Sequence, residues 1–146
     1  MLVIRADQLE LLGRIQFDKM QERIEYVIAR TFPDSFAVPF AAETPSVRHQ
    51  ANMYSKTFVE KGIEEGLGLG LDQEADLAAF VALSLALWAG SRERPAWMSA
   101  WLMRPHTPGA VRMAVIESRL AQMGADDPLL HAVATQVGTA RRACVL

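Results

Sequence analysis

Leu77-Ala78-Ala79-Phe80-Val81-Ala82-Leu83-Ser84-Leu85-Ala86-Leu87-Trp88-Ala89 contains a single polar residue, Ser84. The run falls short of the roughly 20 residues a membrane span needs, so it reads as a buried helix. A helix that is apolar on every face must be surrounded. Leu77 to Trp88 is therefore predicted to be the central element of the fold. Its start is marked by Asp72 as the capping residue, with Gln73, Glu74 and Asp76 in the first turn where the helix dipole favours acids. Gly90 ends it, which bounds the central helix at about 73–89.

The flanking sequence supplies the cover. Upstream, a helix is predicted from Asp7, as cap, to about Thr31. Leu9, Leu12, Phe17, Met20, Ile24, Val27 and Ile28 form its inward stripe, and Asp18, Lys19, Glu22, Arg23 and Glu25 the opposite side. Phe32-Pro33 stops this helix, because proline pushes the preceding residue out of helical geometry. Asp34 to Glu43 reads as loop. Thr44-Pro45 then opens a helix that turns Val47, Ala51, Tyr54, Phe58 and Ile63 inward and ends in Gly66-Leu67-Gly68-Leu69-Gly70, three glycines suited to left-handed turn geometry.

Downstream of Gly90, a solvated connection through Arg92, Glu93 and Arg94 leads to a short helix from Pro95 that Pro105 stops. Thr107-Pro108 opens another helix, to about Met123, with Val111, Val115, Ile116, Leu120 and Met123 inward and Gly124 closing it. Asp127-Pro128 starts the last, burying Leu129, Leu130, Val133 and Val137, with Arg141 and Arg142 complementing the dipole at its end. The sum is an all-α chain: residues 1–146 as one domain, a compact bundle of five to six helices around the central apolar one.

At 146 residues such a domain can remove roughly 70% of its unfolded surface from water. Its 51% apolar and 22% charged residues place it among globular chains and away from disorder. A net charge of −2, spread along the chain, offers no field to hold a phosphate backbone, so nucleic acid is not an expected partner. Arg5 and Asp7 interrupt the opening MLVIRADQ, which lacks the apolar centre of a secretory signal and points to the cytoplasm. The lone Cys144 forms no internal disulfide and lies one residue too near the end for a prenylation box.

Reactive groups are sparse. None of His49, His106 and His131 has a second histidine or a carboxylate at i+3 or i+4, and neither a Glu-x-x-His nor a His-Glu-x-x-His pattern occurs, so no metal or cofactor is expected. The glycines at 66, 68 and 70 follow a helix and lack the Gly-Lys-Ser/Thr of a phosphate loop, which makes them an interhelical turn. Glu60 and Glu64, or Asp18 and Glu22, share helix faces, but Lys56 and Lys61 stand four residues before Glu60 and Glu65, as on a solvated mixed-charge surface. No serine or threonine occupies a nucleophile elbow. Catalytic residues are accordingly not assigned, and the chain is expected to be no enzyme.

The densest feature is Arg92-Glu93-Arg94-Pro95-Ala96-Trp97-Met98-Ser99-Ala100-Trp101-Leu102-Met103-Arg104, with two tryptophans one helical turn apart among methionines and arginines. Trp and Arg dominate binding hot spots, and methionine adapts to irregular surfaces. Arg92, Arg94, Trp97, Met98, Trp101 and Arg104 are the candidate partner-binding residues. Two readings stand open: the tryptophans cover the core, or they form an edge that grips another protein. The second predicts an exposed apolar patch of several hundred Å². An enzyme would instead show a pocket bringing a histidine to a carboxylate, and a helix-turn-helix regulator would need a basic recognition helix that Arg141 and Arg142 do not supply.

Two stretches carry a resemblance. Val3-Ile4-Arg5-Ala6-Asp7-Gln8-Leu9, running into a helix that ends at Phe32-Pro33, resembles the start of small uncharacterised helical proteins encoded beside type VI secretion spike and adaptor genes. Lys61-Gly62-Ile63 through Gly70-Leu71 to Glu74-Ala75-Asp76-Leu77 and Phe80 is similar to their middle. The likeness covers about half the chain, without the tryptophan-rich segment, the Pro39 loop or the last helix. It implies an accessory role, a co-chaperone or adaptor partner that loads a secretion effector. The nearest rival is an immunity protein that occludes a toxin; those that oppose nucleases are often strongly acidic, and this chain is near neutral.

Overall fold

The computed structural model describes the backbone of residues 6–32, 45–90 and 92–145, and the side chains of 16–32, 56–90 and 92–144. Among these residues there are six helices and no strand: α1 (Ala6–Thr31), α2 (Pro45–Gly68), α3 (Glu74–Ala89), α4 (Ala96–Leu102), α5 (Gly109–Met123) and α6 (Pro128–Val145). α3 is the axis of the bundle, as its composition requires. From Asp76 to Leu87 every residue except Ser84 is buried. α6 packs along it most extensively, α2 and α1 cover further sides, and α5 touches it while carrying α4. Ile24 and Ile28 of α1, Ile63 of α2, Met98 and Leu102 of α4, Ile116 and Leu120 of α5 and Val133 and Val137 of α6 meet α3 in one core.

Several helix ends differ from expectation by a residue or a role. α1 begins at Ala6, so Asp7 lies inside the first turn and is not its cap. α3 is preceded by Gln73 in extended geometry with no side-chain cap, so Asp72 does not cap it either. Pro108 is the residue before α5 and not its first helical one. Asp127 does cap α6, its Oδ1 accepting from the amides of Leu129 (3.0 Å) and Leu130 (3.4 Å). The expected loop at Asp34–Glu43 and the inward roles of Leu9, Leu12, Val47, Ala51 and Tyr54 lie outside the described residues, as does the side chain of His49.

Of the three glycines that close α2, only Gly70 takes a left-handed conformation, at φ 88°. The amide of Leu71 donates to the Gly66 carbonyl (2.9 Å) and that of Gly70 to the Leu67 carbonyl (3.0 Å), a Schellman ending with buried Leu71 folded back on the helix. Gly66 serves another purpose. A Cβ there would stand 2.7 Å from Leu77 Cδ2 and 3.3 Å from Phe80 Cδ1, and one at Gly62, a turn earlier, 2.9 Å from Val81 Cγ2. These two glycines let α2 approach α3 closely. Gly66→Ala is therefore expected to lower stability by about 1–2 kcal/mol despite alanine's better helix propensity, because the overpacking outweighs it; denaturant unfolding measures this, and a stabilised variant would refute the close-approach role.

Two parts of the apolar pattern are placed differently. Trp88 is 69% exposed and lies tilted against Phe58, with ring centroids 6.4 Å apart, so the surrounded portion of α3 stops at Leu87. α5 is rotated relative to its predicted stripe: Arg112, Met113, Ile116 and Leu120 face inward, Val111 and Met123 are exposed and Val115 is half-buried. The cause is Arg112, whose guanidinium donates to the carbonyls of Leu102, at the end of α4, and Thr107. A short helix leaves its last carbonyls short of partners, and Arg112 satisfies that of Leu102, together with Thr107 in the following loop, from within the fold. Turning Arg112 inward turns Val111 out.

Arg141 likewise works across the bundle and not along its own helix dipole. Its Nε and Nη2 donate to the Glu117 carboxylate, and Nη2 also donates to Asp76 Oδ1, all at 2.7 Å, joining α6, α5 and α3. Burial opposes that charge, yet the hydrogen bonds to Glu117 and Asp76 prevail and hold the guanidinium pKa above its ordinary value. No described helix is long and apolar enough to cross a membrane.

Candidate interaction face on α4 and α5

The six residues singled out in the tryptophan-rich segment divide into three groups. Arg92 and Arg94 are struts. Arg92 reaches Asp127 Oδ2 at 2.9 Å, and half-buried Arg94 pairs with Glu65 at 3.0 Å while its guanidinium lies 5.3 Å from the centre of the Phe80 ring. Both anchor the connection into α4. Met98 is wholly inaccessible, at 0% exposure, and belongs to the core; its assignment to a contact surface is corrected, since position 98 on α4 points at the bundle. Trp97, Trp101 and Arg104 remain at the surface. The tryptophans are half-buried, one side packed on the core. Each ring therefore covers the core on one side and keeps part of its surface accessible.

The outer side of each indole is covered by an arginine. Arg104 lies 4.4 Å over Trp101, and Arg119, from α5, 4.8 Å over Trp97. Arg119 was not among the sequence candidates, because its pairing with Trp97 arises only when α4 docks on α5. Neither arginine has a carboxylate within ion-pair distance among the described residues, whereas Arg23, Arg92, Arg94 and Arg141 each do. Stacking holds a guanidinium flat on the ring and leaves its N–H edge free for an external acceptor.

Arg119 also borders an open groove of about 730 Å³ on α5, lined among the described residues by Ala110, Val111, Ala114, Val115, Ser118 and Gln122 as well. Its signal in the sequence is Ala110-Ala114-Ser118 beside Val111-Val115 at i, i+4 spacing, small and apolar residues where a solvated face would carry charge. By periodicity alone the two valines read as core. Met103, 71% exposed, follows at the end of α4.

Other depressions have different linings. A polar cleft of about 570 Å³ runs by Arg104, His106, Thr107 and the buried Arg112. A third, about 620 Å³, lies between α1 and α6 beside Arg23, Tyr26 and Cys144. Burial raises the Cys144 thiol pKa, Glu74 adds to this, and Arg23 and Arg141 oppose it. Among the described residues no three of His, Cys, Asp and Glu converge as metal ligands, and His106 and His131 are exposed.

At the α6 cap, the hydrogen bond from Arg92 is the largest influence holding the Asp127 carboxyl below its usual range, followed after an opposing desolvation by the Leu130 and Leu129 amides. A depressed carboxylate pKa contributes stability that is present above the ordinary value and lost as pH falls through the lowered one. Arg92→Ala is expected to move the Asp127 midpoint upward in a carboxyl-detected NMR titration; an unchanged midpoint would show that Arg92 does not hold this cap.

Comparison with known proteins finds no match: no protein-family model, no curated protein and no solved structure matches this chain.

Proposed function

We propose that this chain is a non-enzymatic accessory factor that binds another protein through the outer face of α4 and α5. One observation carries the reading. An open apolar groove on α5 is bordered by Arg119, which stacks on Trp97, and neither Arg119 nor Arg104, stacked on Trp101 nearby on α4, has a carboxylate partner among the described residues. Central aromatic and arginine anchors beside a water-excluding apolar surface are the usual composition of an interface hot spot. An apolar groove along an exposed helix suits a helix of the partner.

Loading of a type VI secretion effector, implied by the resemblance of the first and middle segments, is the form of this role we place first. Occlusion of a toxin is the second, and the identity of the captured protein separates them. Truncating Trp97 or Trp101 would disturb the core as well as the surface, so the test uses an outward residue. Ala114→Glu, on exposed helix, is expected to leave unfolding unchanged within about 0.5 kcal/mol and to reduce recovery of the partner in affinity purification from the native cell at least tenfold. Undiminished recovery would refute this face as the binding site.

A further inference from the structure

We infer that the polar cleft between the end of α4 and the start of α5 binds the oxyanion of a small molecule, a phosphate or carboxylate group held by buried Arg112 and by exposed Arg104 and His106. The inference is independent of the docking face. All three residues line one cleft of about 570 Å³, together with Gly68 and Leu69 at the end of α2, and no acidic residue lines it among those described.

Arg112 is the observation that carries the site. It is 5% exposed, yet no carboxylate lies within ion-pair distance of it among the described residues, whereas Arg141 has two. Its Nε and Nη1 donate to the carbonyls of Thr107 and Leu102, and its Nη2 makes no hydrogen bond among the described residues. Two carbonyls need only donors, which a neutral side chain supplies without taking a full charge out of water. A guanidinium in that place is a buried charge without its counter-charge, and the cleft it lines has room for one.

The surrounding residues agree with it in charge and in geometry. Arg104 lies 4.4 Å over the Trp101 ring, which orders its guanidinium and leaves the N–H edge available, and it too lacks a carboxylate among the described residues. His106 is held at φ 62°, a left-handed conformation that costs any side chain energy and that glycine would adopt freely, so an imidazole stands here against a local cost. Gly70, at φ 88°, has the Arg112 Nη2 only 3.0 Å from where a Cβ would stand, and its missing side chain leaves room for the guanidinium. Pro108, on the cleft wall, precedes α5 without a side-chain cap, which adds the positive end of that helix dipole. Planar guanidinium forks and an imidazole N–H match the oxygens of a phosphate or carboxylate. A cationic ligand would meet the same charges and be repelled, and a neutral one would leave Arg112 uncompensated.

The full-length protein titrated with inorganic phosphate, glycerol phosphate and succinate, with glycerol as the neutral control, tests the assignment by NMR of backbone amides and of arginine and histidine side chains. Saturable shifts at Arg112 Nε–H, His106 and Thr107 are expected with at least one anion and absent with glycerol. The anion that saturates at the lowest concentration identifies the head group. Arg104→Gln and His106→Gly, both at exposed positions, should each weaken binding on the order of tenfold. His106→Gly should also melt at a higher temperature than wild type, since the strained backbone is relieved while the ligand contact is lost. Arg112→Gln should abolish saturation, and should that variant fail to fold, the two exposed ones decide. No saturable shift with any of the three anions, shifts confined to residues away from the cleft, equal binding of glycerol, or unchanged affinity in both exposed variants would overturn the inference.

Discussion

Arg141→Met is expected to destabilise the fold by about 3 kcal/mol, read from urea or thermal unfolding, because it strands a carboxylate that water does not reach. The Asp76 side chain is only 3% exposed, and Arg141 is its ion-pair partner among the described residues. Deleting one member of such a pair leaves the other charged and dry, which is more damaging than the pair's own net contribution. The figure is set at the lower end of the range for buried pairs because Arg141 is itself 30% exposed and Glu117 20%. Arg141→Lys keeps the charge but cannot offer the same fork to both carboxylates, and it should fall between wild type and Arg141→Met. Adding Asp76→Leu to Arg141→Met should recover most of the loss, since an apolar pair needs no solvation there. No recovery would mean that the damage comes from lost packing at α6 and not from an orphaned charge.

Phe80→Ala should have the larger effect, about 3–5 kcal/mol, enough to remove much of the stability of a domain of this kind. Phe80 is fully buried at the middle of α3, close to where Gly66 brings α2 nearest, and its ring carries the Arg94 guanidinium at 5.3 Å. Truncation opens a cavity among α2 and α3 side chains and frees one of the two struts that lead into α4. A drop in melting temperature of roughly 10 °C or more is expected. Phe80→Leu, which retains most of the volume, should cost clearly less; equal losses would show that the site tolerates a void by collapsing.

The fold was legible where one physical requirement dominated. A stretch from Leu77 to Ala89 with one hydroxyl calls for enclosure, which the bundle provides as far as Leu87, and Gly90, Pro95, Pro105 and Gly124 divide what surrounds it into helices. Phase was harder. On α5 the valines at 111 and 115 look like core and Arg112 like surface, but the unpaired carbonyls of Leu102 and Thr107 draw Arg112 inward and reverse the assignment. Asp72 has the chemistry of a cap, but the extended residue before α3 is Gln73, because propensity marks the neighbourhood of a helix start and not the residue itself.

The candidate site was half visible. Trp97, Trp101 and Arg104 come from one stretch and stay at the surface, while Met98 in the same stretch is core because a seven-residue helix lying on the bundle must bury one side. Arg119, which borders the α5 groove, is distant in sequence from Trp97 and becomes its neighbour only through the packing of α4 on α5. Arg141 shows the same limit: its position near a helix end suggested a dipole contact, and its partners came from two other helices.

Hydroxyl-radical footprinting of the protein with its captured partner tests the docking face most directly. Oxidation of Trp97 and Trp101 is predicted to fall on complex formation while Trp88 and Tyr26, exposed at 69% and 63% on other elements, keep their free-protein rates. Protection of Trp88 or Tyr26 with Trp97 and Trp101 unchanged would place the partner elsewhere and contradict the account.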